Sequence, residues 1–211
     1  AHGTHVAGIL AATSDNDLGI ASTAYNAKFI SVKGSRENQS GEPGINDGYA
    51  AILYAAKAGY YSQGFSIVNC SFGGGGYNSY EQDIMDILRH DYNALIFASA
   101  GNGDAGGDDI PHYPASYENV ISVTALGTND TWNHWATYHN SIDIASPGEG
   151  IRSTKIGTGY VNWMGSSMAS PIVASSIGLL KANNPSLVSL VRPPPKWIFS
   201  IFDSSISLIT V

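Results

Sequence analysis

Two kinds of apolar pattern alternate along the chain. Short runs rich in β-branched and aromatic residues predict strands, and stretches with apolar residues at helical spacing predict helices. The predicted strands cover residues 28–32, 65–71, 94–98, 120–125 and 142–145. The predicted helices cover residues 46–58, 80–90 and 167–181, with a further helix suggested by the small residues after position 2.

The regular alternation of strands and helices predicts the fold class. Such an order favours an α/β fold of three layers, with a mostly parallel twisted sheet flanked by helices. Residues 94–98 and 120–125 are almost continuously apolar, which is typical of strands covered on both faces. In sheets of this kind, ligand sites lie beyond the carboxyl ends of the strands.

The buried faces of two helices can also be predicted from the spacing of their apolar residues. For residues 46–58 we predict a stripe made by Ala50, Leu53, Tyr54 and Ala58. For residues 80–90 we predict burial of Ile84, Ile87 and Leu88.

Composition narrows the class of protein. The 211 residues fit one domain, only 13% of them are charged, and the formal net charge is −7. No run of Lys or Arg stands out, so we expect neither a nucleic-acid partner nor an acidic membrane surface. No apolar run reaches the roughly 18 residues needed to span a bilayer. Cys70 is the single cysteine, which excludes an internal disulfide framework.

Both ends of the chain depart from the pattern of a complete domain. The sequence begins without an initiator Met or a signal peptide, already inside a motif, and we therefore expect a fragment. Residues 188–211 combine three consecutive prolines with alternating serines and bulky apolar residues. We expect residues 1–187 to form the domain and residues 188–211 to be foreign to it, as after a frameshift or mis-splicing. The alternative is an atypical edge strand or a surface tail.

The first motif is HGTHVAGI, at residues 2–9. Its small residues allow a helix to pack closely, and His2 lies near the predicted helix N-terminus. The positive end of the helix dipole disfavours imidazolium there, and a neutral imidazole is what a general base requires. The alternatives are packing or a zinc site formed with His5, although no Glu or Cys cluster accompanies the pair. His5 itself is interpreted as a structural residue.

The second motif is GSSMASP, at residues 165–171, which opens an apolar helix. A serine at a helix N-terminus has free backbone N–H groups beside it and a favourable field for a developing oxyanion. Pro171 fits only in the first turn, which fixes where the helix begins. The alternative for any of these serines is an ordinary helix cap.

Two further motifs follow predicted strands. Asn102 lies in a glycine-rich turn after the apolar run 94–98, where it is either a turn residue or a donor to an oxyanion. Residues 69–74, with the sequence NCSFGG, end another strand in glycines. Extended backbone at this position can pair with a peptide, or it is simply a strand-to-loop exit.

In chain order, the HGTHVAGI motif, the turn that contains Asn102 and the GSSMASP motif together resemble the subtilisin-like serine proteases, the S8 subtilase family. The resemblance extends from His2 to about Leu187. It implies that His2 is the general base, Ser167 the nucleophile and Asn102 the side-chain donor of the oxyanion hole, beside the Ser167 N–H. It also implies that the Ser167 hydroxyl and a His2 ring nitrogen lie within hydrogen-bonding distance.

The resemblance also implies a substrate-binding segment and a pocket. The segment is residues 71–73, and the opposite wall of the pocket is residues 100–101, giving the substrate-binding set Ser71, Phe72, Gly73, Ala100 and Gly101. Tyr113–Pro114 matches a position where the family often has a cis proline. Residues 15–19 lie where many members bind calcium, and a structural calcium there is compatible with their oxygen-rich composition. The chemistry itself requires no cofactor.

The function implied is that of a serine endopeptidase in the intact protein. Its partners would be a peptide or protein substrate with a bulky apolar side chain in the pocket, and a propeptide in the precursor. The resemblance and the acidic, Lys-poor composition predict an exported monomer.

In this family the triad aspartate precedes the histidine. Because the matching histidine here is His2, the sequence does not include that aspartate at its usual position. Loss of that residue in subtilisin lowers turnover by about 3 × 10⁴, and we expect the fragment alone to be inactive or strongly impaired. The alternative function is a catalytically inactive subtilase-like domain that binds peptides. A serine esterase fits poorly, because the G-x-S-x-G esterases place their histidine late in the chain.

Overall fold

A computed structural model describes residues 1–35, 44–103, 108–132, 134–186 and 207–210. Six parallel strands form one sheet, and two antiparallel strands form a separate hairpin. The strands of the sheet are β1 (Lys28–Ser31), β2 (Ser66–Cys70), β3 (Ala94–Ser99), β4 (Val120–Leu126), β5 (Ile144–Pro147) and β8 (Ser207–Thr210). The hairpin consists of β6 (Ile151–Thr154) and β7 (Tyr160–Trp163).

Four helices cover the sheet. They are α1 (His2–Ala11), α2 (Gly48–Gln63), α3 (Ser79–Asp91) and α4 (Ser166–Asn183). The order of strands in the sheet is β1-β8-β2-β3-β4-β5, and all five of its ladders are parallel. No helix in the described part of the chain is both long and apolar enough to cross a membrane.

The alternation of side chains along the central strands builds two separate cores. Ile67 of β2 and Phe97 of β3 point to one face, where they pack with Ala169 and Val173 of α4. Val68 and Ile96, one residue along each strand, belong to the other face, which is covered by α2 and α3. These strands are therefore buried on both faces, and the predicted three-layer α/β fold is confirmed.

The predicted helix faces needed correction. In α2 the buried residues include Ala51, Ile52, Ala55 and Ala56, whereas Tyr54 is 62% exposed and Ala50 is also exposed. Apolar and small residues surround this helix on most sides, so their spacing did not identify the face that the sheet covers. In α3, Leu88 is buried as predicted, but Met85 accompanies it and Ile87 is exposed.

Strand β8 belongs to the segment expected to be foreign to the fold. It lies between β1 and β2, with Leu208 in register with Phe29 on one side and with Ile67 on the other. It is thus an interior strand of the sheet rather than an edge strand. Most of the segment from residue 187 lies outside the described residues, so the domain boundary at residue 187 stays a prediction.

Candidate active site

The structure brings the three residues with predicted catalytic roles to one place. His2, Asn102 and Ser167 line a cavity of about 670 Å³ together with Trp163 and Met168. Asn102 and Ser167 also line a larger cavity of about 1030 Å³. Three distant parts of the chain therefore converge, as the sequence motifs predicted.

Ser167 is the second residue of α4, and the start of that helix determines its surroundings. An N–H in the first turn has no acceptor within its own helix, and the Ser167 N–H has no acceptor elsewhere in the described part of the chain. The Ser71 hydroxyl donates to the Ser167 carbonyl at 2.8 Å, and the Ser167 hydroxyl donates to the Ser71 carbonyl at 3.3 Å. Ser71 thus anchors the helix start to the end of β2.

Hydrogen bonds fix the orientation of the Asn102 carboxamide. Its Oδ1 accepts the Ser166 N–H at 2.8 Å and the Ser166 hydroxyl at 3.0 Å. Both partners are donors toward Oδ1, so Nδ2 is the end of the amide that remains free to donate. Asn102 and Ser167 line the same cavities, so Nδ2 and the Ser167 N–H are two donors beside one space.

Ser166, for which the sequence offered the role of an ordinary helix cap, has a different one. The structure shows it 1% exposed, with its hydroxyl also accepting the Gly101 N–H at 3.2 Å. The helix cap position is Gly165, whose φ of +145° is accessible to glycine. Nothing in the sequence distinguished the anchoring role of Ser166 from that of its serine neighbours.

His2 is the first residue of α1 and is partly exposed. Its ring stacks on Trp163 with the ring centroids 6.3 Å apart. Partial burial, and then the nearby His5, lower the pKa of His2 from its ordinary value. The neutral form that a general base needs is therefore favoured, although burial and His5 lower the pKa here, rather than the helix N-terminus on which the prediction rested.

The expected hydrogen bond between His2 and Ser167 is not formed. In the described part of the chain, the Ser167 hydroxyl donates to the Ser71 carbonyl, and no hydrogen bond involves the His2 ring. A rotation of the Ser167 side chain about one torsion redirects its hydroxyl, because serine has a single heavy-atom rotor.

The surroundings of His5 agree with its interpretation as a structural residue. It is fully buried, stacks on Trp163 at 4.6 Å, and its Nε2 lies 3.1 Å from the Val161 carbonyl. Burial is the largest cause that lowers its pKa. A zinc pair with His2 gains no support, since the described residues contain no group of three or more His, Cys, Asp or Glu side chains placed for a metal.

The predicted substrate-binding residues divide into two groups. Phe72, Gly73 and Gly101 line the large cavity beside Ser167. Ser71 and Ala100 lie behind that surface, where both are buried.

Gly101 has a φ of +111°, and a Cβ there would lie 2.5 Å from the His112 ring, so this wall requires glycine. The Tyr113–Pro114 peptide bond is cis, which confirms that prediction.

Residues 15–19 form a tight turn. Asp15 and Asp17 both have positive φ, and the Leu18 N–H donates to Asn16 Oδ1 at 3.1 Å. The amide oxygen is thus used within the turn, and this segment belongs to no acidic group placed for a metal in the described part of the chain. Calcium binding here stays a prediction, and no structural or chemical step depends on it.

A buried polar network behind the site was not anticipated. The Asn69 amide donates to the Ser71 hydroxyl at 2.9 Å, and the Ser170 hydroxyl donates to Asn69 Oδ1 at 2.8 Å. These side chains join β2 to Ser170, near the start of α4. Their hydroxyl and amide groups were visible in the sequence, but their pairing across 101 positions was not.

Pro171, predicted to lie in the first turn, is instead the sixth residue of the helix. A proline there has no N–H for the Ser167 carbonyl, which accepts the Ser71 hydroxyl instead.

Solved structures define the class to which this architecture belongs. The chain superposes on a psychrophilic protease with a TM-score of 0.65 and 28% identity, covering 82% of this chain and 60% of that one. A mutant of the protease domain of PatA gives a TM-score of 0.69 at 24% identity, over 85% of this chain and 64% of that one, and supports the fold alone. The fold is therefore that of the subtilisin-like α/β proteins.

The chain belongs to the subtilase family, Peptidase S8, whose family model matches residues 1–192. It is 37% identical to thermitase from Thermoactinomyces vulgaris, over 85% of this chain and 60% of thermitase. It is 33% identical to an intracellular serine protease of Paenibacillus polymyxa, over 85% of this chain and 53% of that protein. The chain thus spans about 60% or less of these two relatives.

Proposed function

We propose that this chain provides most of the catalytic site of a serine endopeptidase, with Ser167 as nucleophile and His2 as general base. Asn102 Nδ2 and the Ser167 N–H are the proposed oxyanion donors. The observation that carries this proposal is the fixed Asn102 carboxamide, whose Oδ1 is held by Ser166 at 2.8 Å. That contact leaves Nδ2 as the end of the amide free to donate, on a side chain that lines the same cavity as Ser167 and His2.

The proposed reaction begins when the Ser167 hydroxyl turns from the Ser71 carbonyl toward His2. The serine oxygen attacks the peptide carbonyl carbon while His2 takes the hydroxyl proton. The carbonyl oxygen becomes an oxyanion between Nδ2 of Asn102 and the Ser167 N–H. Collapse of this intermediate breaks the C–N bond, and His2 gives its proton to the leaving amine. Water then hydrolyses the acyl-enzyme by the same route in reverse.

A pair of prearranged donors supports this chemistry on physical grounds. Donors that are already oriented need no reorganisation as charge develops, so they stabilise the transition state more than the ground state. The N-terminus of α4 adds a favourable field for the negative oxygen. Because the pKa of His2 is lowered, its ring stays neutral down to a lower pH and can still accept a proton there.

A second candidate function is a peptide-binding domain without catalytic activity. The observation that favours it is that Ser167 donates to the Ser71 carbonyl, and that no carboxylate in the described part of the chain is hydrogen-bonded to His2. Without such a carboxylate the imidazolium formed in the reaction is less stabilised. We therefore propose that residues 1–211 alone have little activity, and that activity belongs to the complete protein.

The proposed substrate is a peptide or protein whose chain pairs with residues 71–73 and whose bulky apolar side chain enters beside Phe72 and Gly101. The proposed precursor carries a propeptide, and the mature protein is proposed to be an exported monomer that needs no cofactor for its chemistry. The names of its relatives include both a cell wall-associated protease and an intracellular serine protease. Fractionation of the source cells, with detection of the protein in medium or lysate, tests the proposed export.

Comparison of the complete protein with its Ser167→Ala variant tests the proposed enzyme. Peptide-library cleavage should be measured for both proteins. Ser176→Ala, a serine substitution in the same helix but outside the cavity linings, is the matched control. The proposal predicts that cleavage is abolished in Ser167→Ala and retained in Ser176→Ala. Binding without cleavage by the unmodified complete protein would instead establish the peptide-binding domain.

A further inference from the structure

The larger cavity contains a carboxylate that the proposed chemistry does not use. Glu81 lines this cavity together with Ser167, Tyr49 and Tyr77. Among the described residues, Glu81 is the only acidic side chain of the lining, and no Lys or Arg lines the cavity. A negative charge therefore faces a space of about 1030 Å³ beside the proposed nucleophile.

Glu81 is held in place by a tyrosine hydroxyl. Tyr117 is 3% exposed, and its hydroxyl donates to Glu81 Oε2 at 2.6 Å while accepting the Asn78 N–H at 3.1 Å. Burial, and then the hydrogen bond to Glu81, raise the pKa of Tyr117 to about 12. The pKa of Tyr49 is raised as well, first by burial and then by the neighbouring Glu81 carboxylate.

The position of Glu81 in α3 also places its side chain beside a helix N-terminus. It lies in the first turn of that helix, where the positive end of the dipole stabilises a carboxylate. In the part of the chain that the structure describes, the ion-pair contact is the one between His112 and Asp108, and no cationic side chain pairs with Glu81. The carboxylate is therefore oriented by the neutral Tyr117 hydroxyl and is paired with no cationic side chain of the described residues.

Tyr117, which holds this carboxylate, belongs to a cluster of tyrosine rings, and Tyr49, Tyr77 and Tyr113 of that cluster line the same cavity as Glu81. The rings of Tyr77 and Tyr117 lie 5.7 Å apart, those of Tyr113 and Tyr117 lie 4.4 Å apart, and those of Tyr49 and Tyr117 lie 6.2 Å apart. Tyrosine faces attract a Lys or Arg cation, and a nearby carboxylate adds direct charge attraction. An oriented carboxylate among tyrosines is thus suited to a basic side chain.

We propose that Glu81 is a specificity-determining residue that binds a Lys or Arg side chain of the substrate, at a distance from the scissile bond. This inference rests on the proposed peptidase function, because it takes the occupant of the cavity to be a substrate peptide. The pocket beside Phe72 and Gly101 receives the apolar side chain, and the Glu81 subsite receives the basic one.

Kinetics with matched peptides test this inference. Peptides in which Lys or norleucine occupies each position around the scissile bond are offered in turn to the complete protein. The ratio of kcat/KM for the Lys peptide to kcat/KM for the norleucine peptide is measured at each position. We expect Lys to be preferred at one position, and Glu81→Gln to lower that ratio about tenfold, as for a partly exposed charge pair. Glu118→Gln, which changes an exposed carboxylate outside the cavity lining, is the control and should leave the ratio unchanged.

Glutamine keeps an oxygen that accepts the Tyr117 hydroxyl, so Glu81→Gln removes the charge while preserving the local hydrogen bond. A Lys-to-norleucine ratio that is the same in Glu81→Gln and in the unmodified protein would overturn the assignment. Preference for norleucine at every position would overturn it as well.

A binding measurement separates this inference from the enzyme proposal. The Kd of the Lys peptide should be measured for Ser167→Ala and for the double variant that also carries Glu81→Gln. A roughly tenfold weaker Kd in the double variant supports the subsite even if the unmodified protein cleaves nothing, in which case only the peptidase proposal fails. Equal Kd values would refute the subsite, whatever the cleavage results.

Discussion

At the scale of single residues, the proposed chemistry depends on which end of one carboxamide faces the cavity. Asn102 uses its oxygen to accept two donors from Ser166, at 2.8 and 3.0 Å, and so presents its nitrogen as a donor. The same side chain therefore fixes the start of α4 and provides half of the proposed oxyanion hole. These two roles can be separated by substitution.

Asn102→Asp retains an oxygen for the Ser166 donors but lacks the Nδ2 donor. We expect turnover of the complete protein to fall by about 10²–10³, because one oxyanion donor is lost, while the midpoint of thermal unfolding changes little. Asn129→Asp, on an exposed turn, controls for the added charge. Steady-state kinetics measure the turnover and calorimetry measures the midpoint of thermal unfolding. An unchanged turnover would remove Asn102 from the proposed site.

His2 gives a second prediction at this scale. Its pKa is lowered by partial burial and by His5, so its proton should leave at a pH below the ordinary histidine value of about 6.5. The neutral base then persists as pH falls, and the charged form dominates only below the lowered pKa. NMR titration of the His2 ring, with His2→Gln used to assign the signal, should give a midpoint below 6.5. A midpoint at or above that value would contradict the environment described here.

At the scale of elements, the site depends on how α4 is joined to the central strands. Asn69 in β2 accepts a hydrogen bond from Ser170, near the start of α4, at 2.8 Å, and both side chains are fully buried. Ser71 adds a bond to the Ser167 carbonyl at 2.8 Å. The helix that carries the proposed nucleophile is thus fixed to the strand whose exit residues are proposed to bind substrate.

Removal of this link should destabilise the fold. Ser170→Ala leaves the buried Asn69 Oδ1 without its donor, and we expect the free energy of unfolding to fall by about 1–3 kcal/mol. Ser176→Ala in the same helix removes only a bond to the Ile172 carbonyl one turn earlier, and its effect should be smaller than about 0.5 kcal/mol. Urea unfolding of both variants measures the difference, and equal effects would argue against the link.

Element positions were predictable from the sequence more reliably than their faces. The runs 94–98 and 120–125 gave β3 and β4 to within one residue at their ends, because continuous apolar residues mark strands covered on both sides. The hairpin β6–β7 was missed, since its four-residue strands mix polar and apolar residues and are only partly buried. The buried face of α2 was misassigned because small and apolar residues occur around the whole helix.

The same distinction applies to the site. The motifs around His2, Asn102 and Ser167 predicted the candidate site because each is compact in sequence. The tyrosines around Glu81 come from α2, from the segment before α3 and from the loop after β3, and only the fold brings them together. No local spacing could have indicated that cluster.

At the scale of the whole molecule, the sheet depends on its C-terminal strand. Strand β8 pairs with β1 on one side and with β2 on the other, and among the described strands it is the one that pairs with β1. The two cores meet this part of the sheet through α1 and α2, both of which contact β8. The central position of β8 was not predicted, because residues 188–211 show neither of the regular apolar patterns.

Truncation tests the contribution of β8. Residues 1–186 would retain all four helices but leave β1 and β2 with unpaired edges facing a gap. We expect a lower midpoint of thermal unfolding and faster proteolysis than for residues 1–211, measured side by side at the same concentration. Equal midpoints and equal proteolysis would instead support the prediction that the domain ends at residue 187.

The proposed catalytic site depends most on the identity of one nucleophilic oxygen. A fluorophosphonate probe reacts with an activated serine hydroxyl, and its adduct can be located by mass spectrometry of the labelled complete protein. We predict one adduct, on Ser167, that is lost in Ser167→Ala. Labelling of another serine, or no labelling of a protein that still cleaves peptides, would contradict the proposed catalytic site.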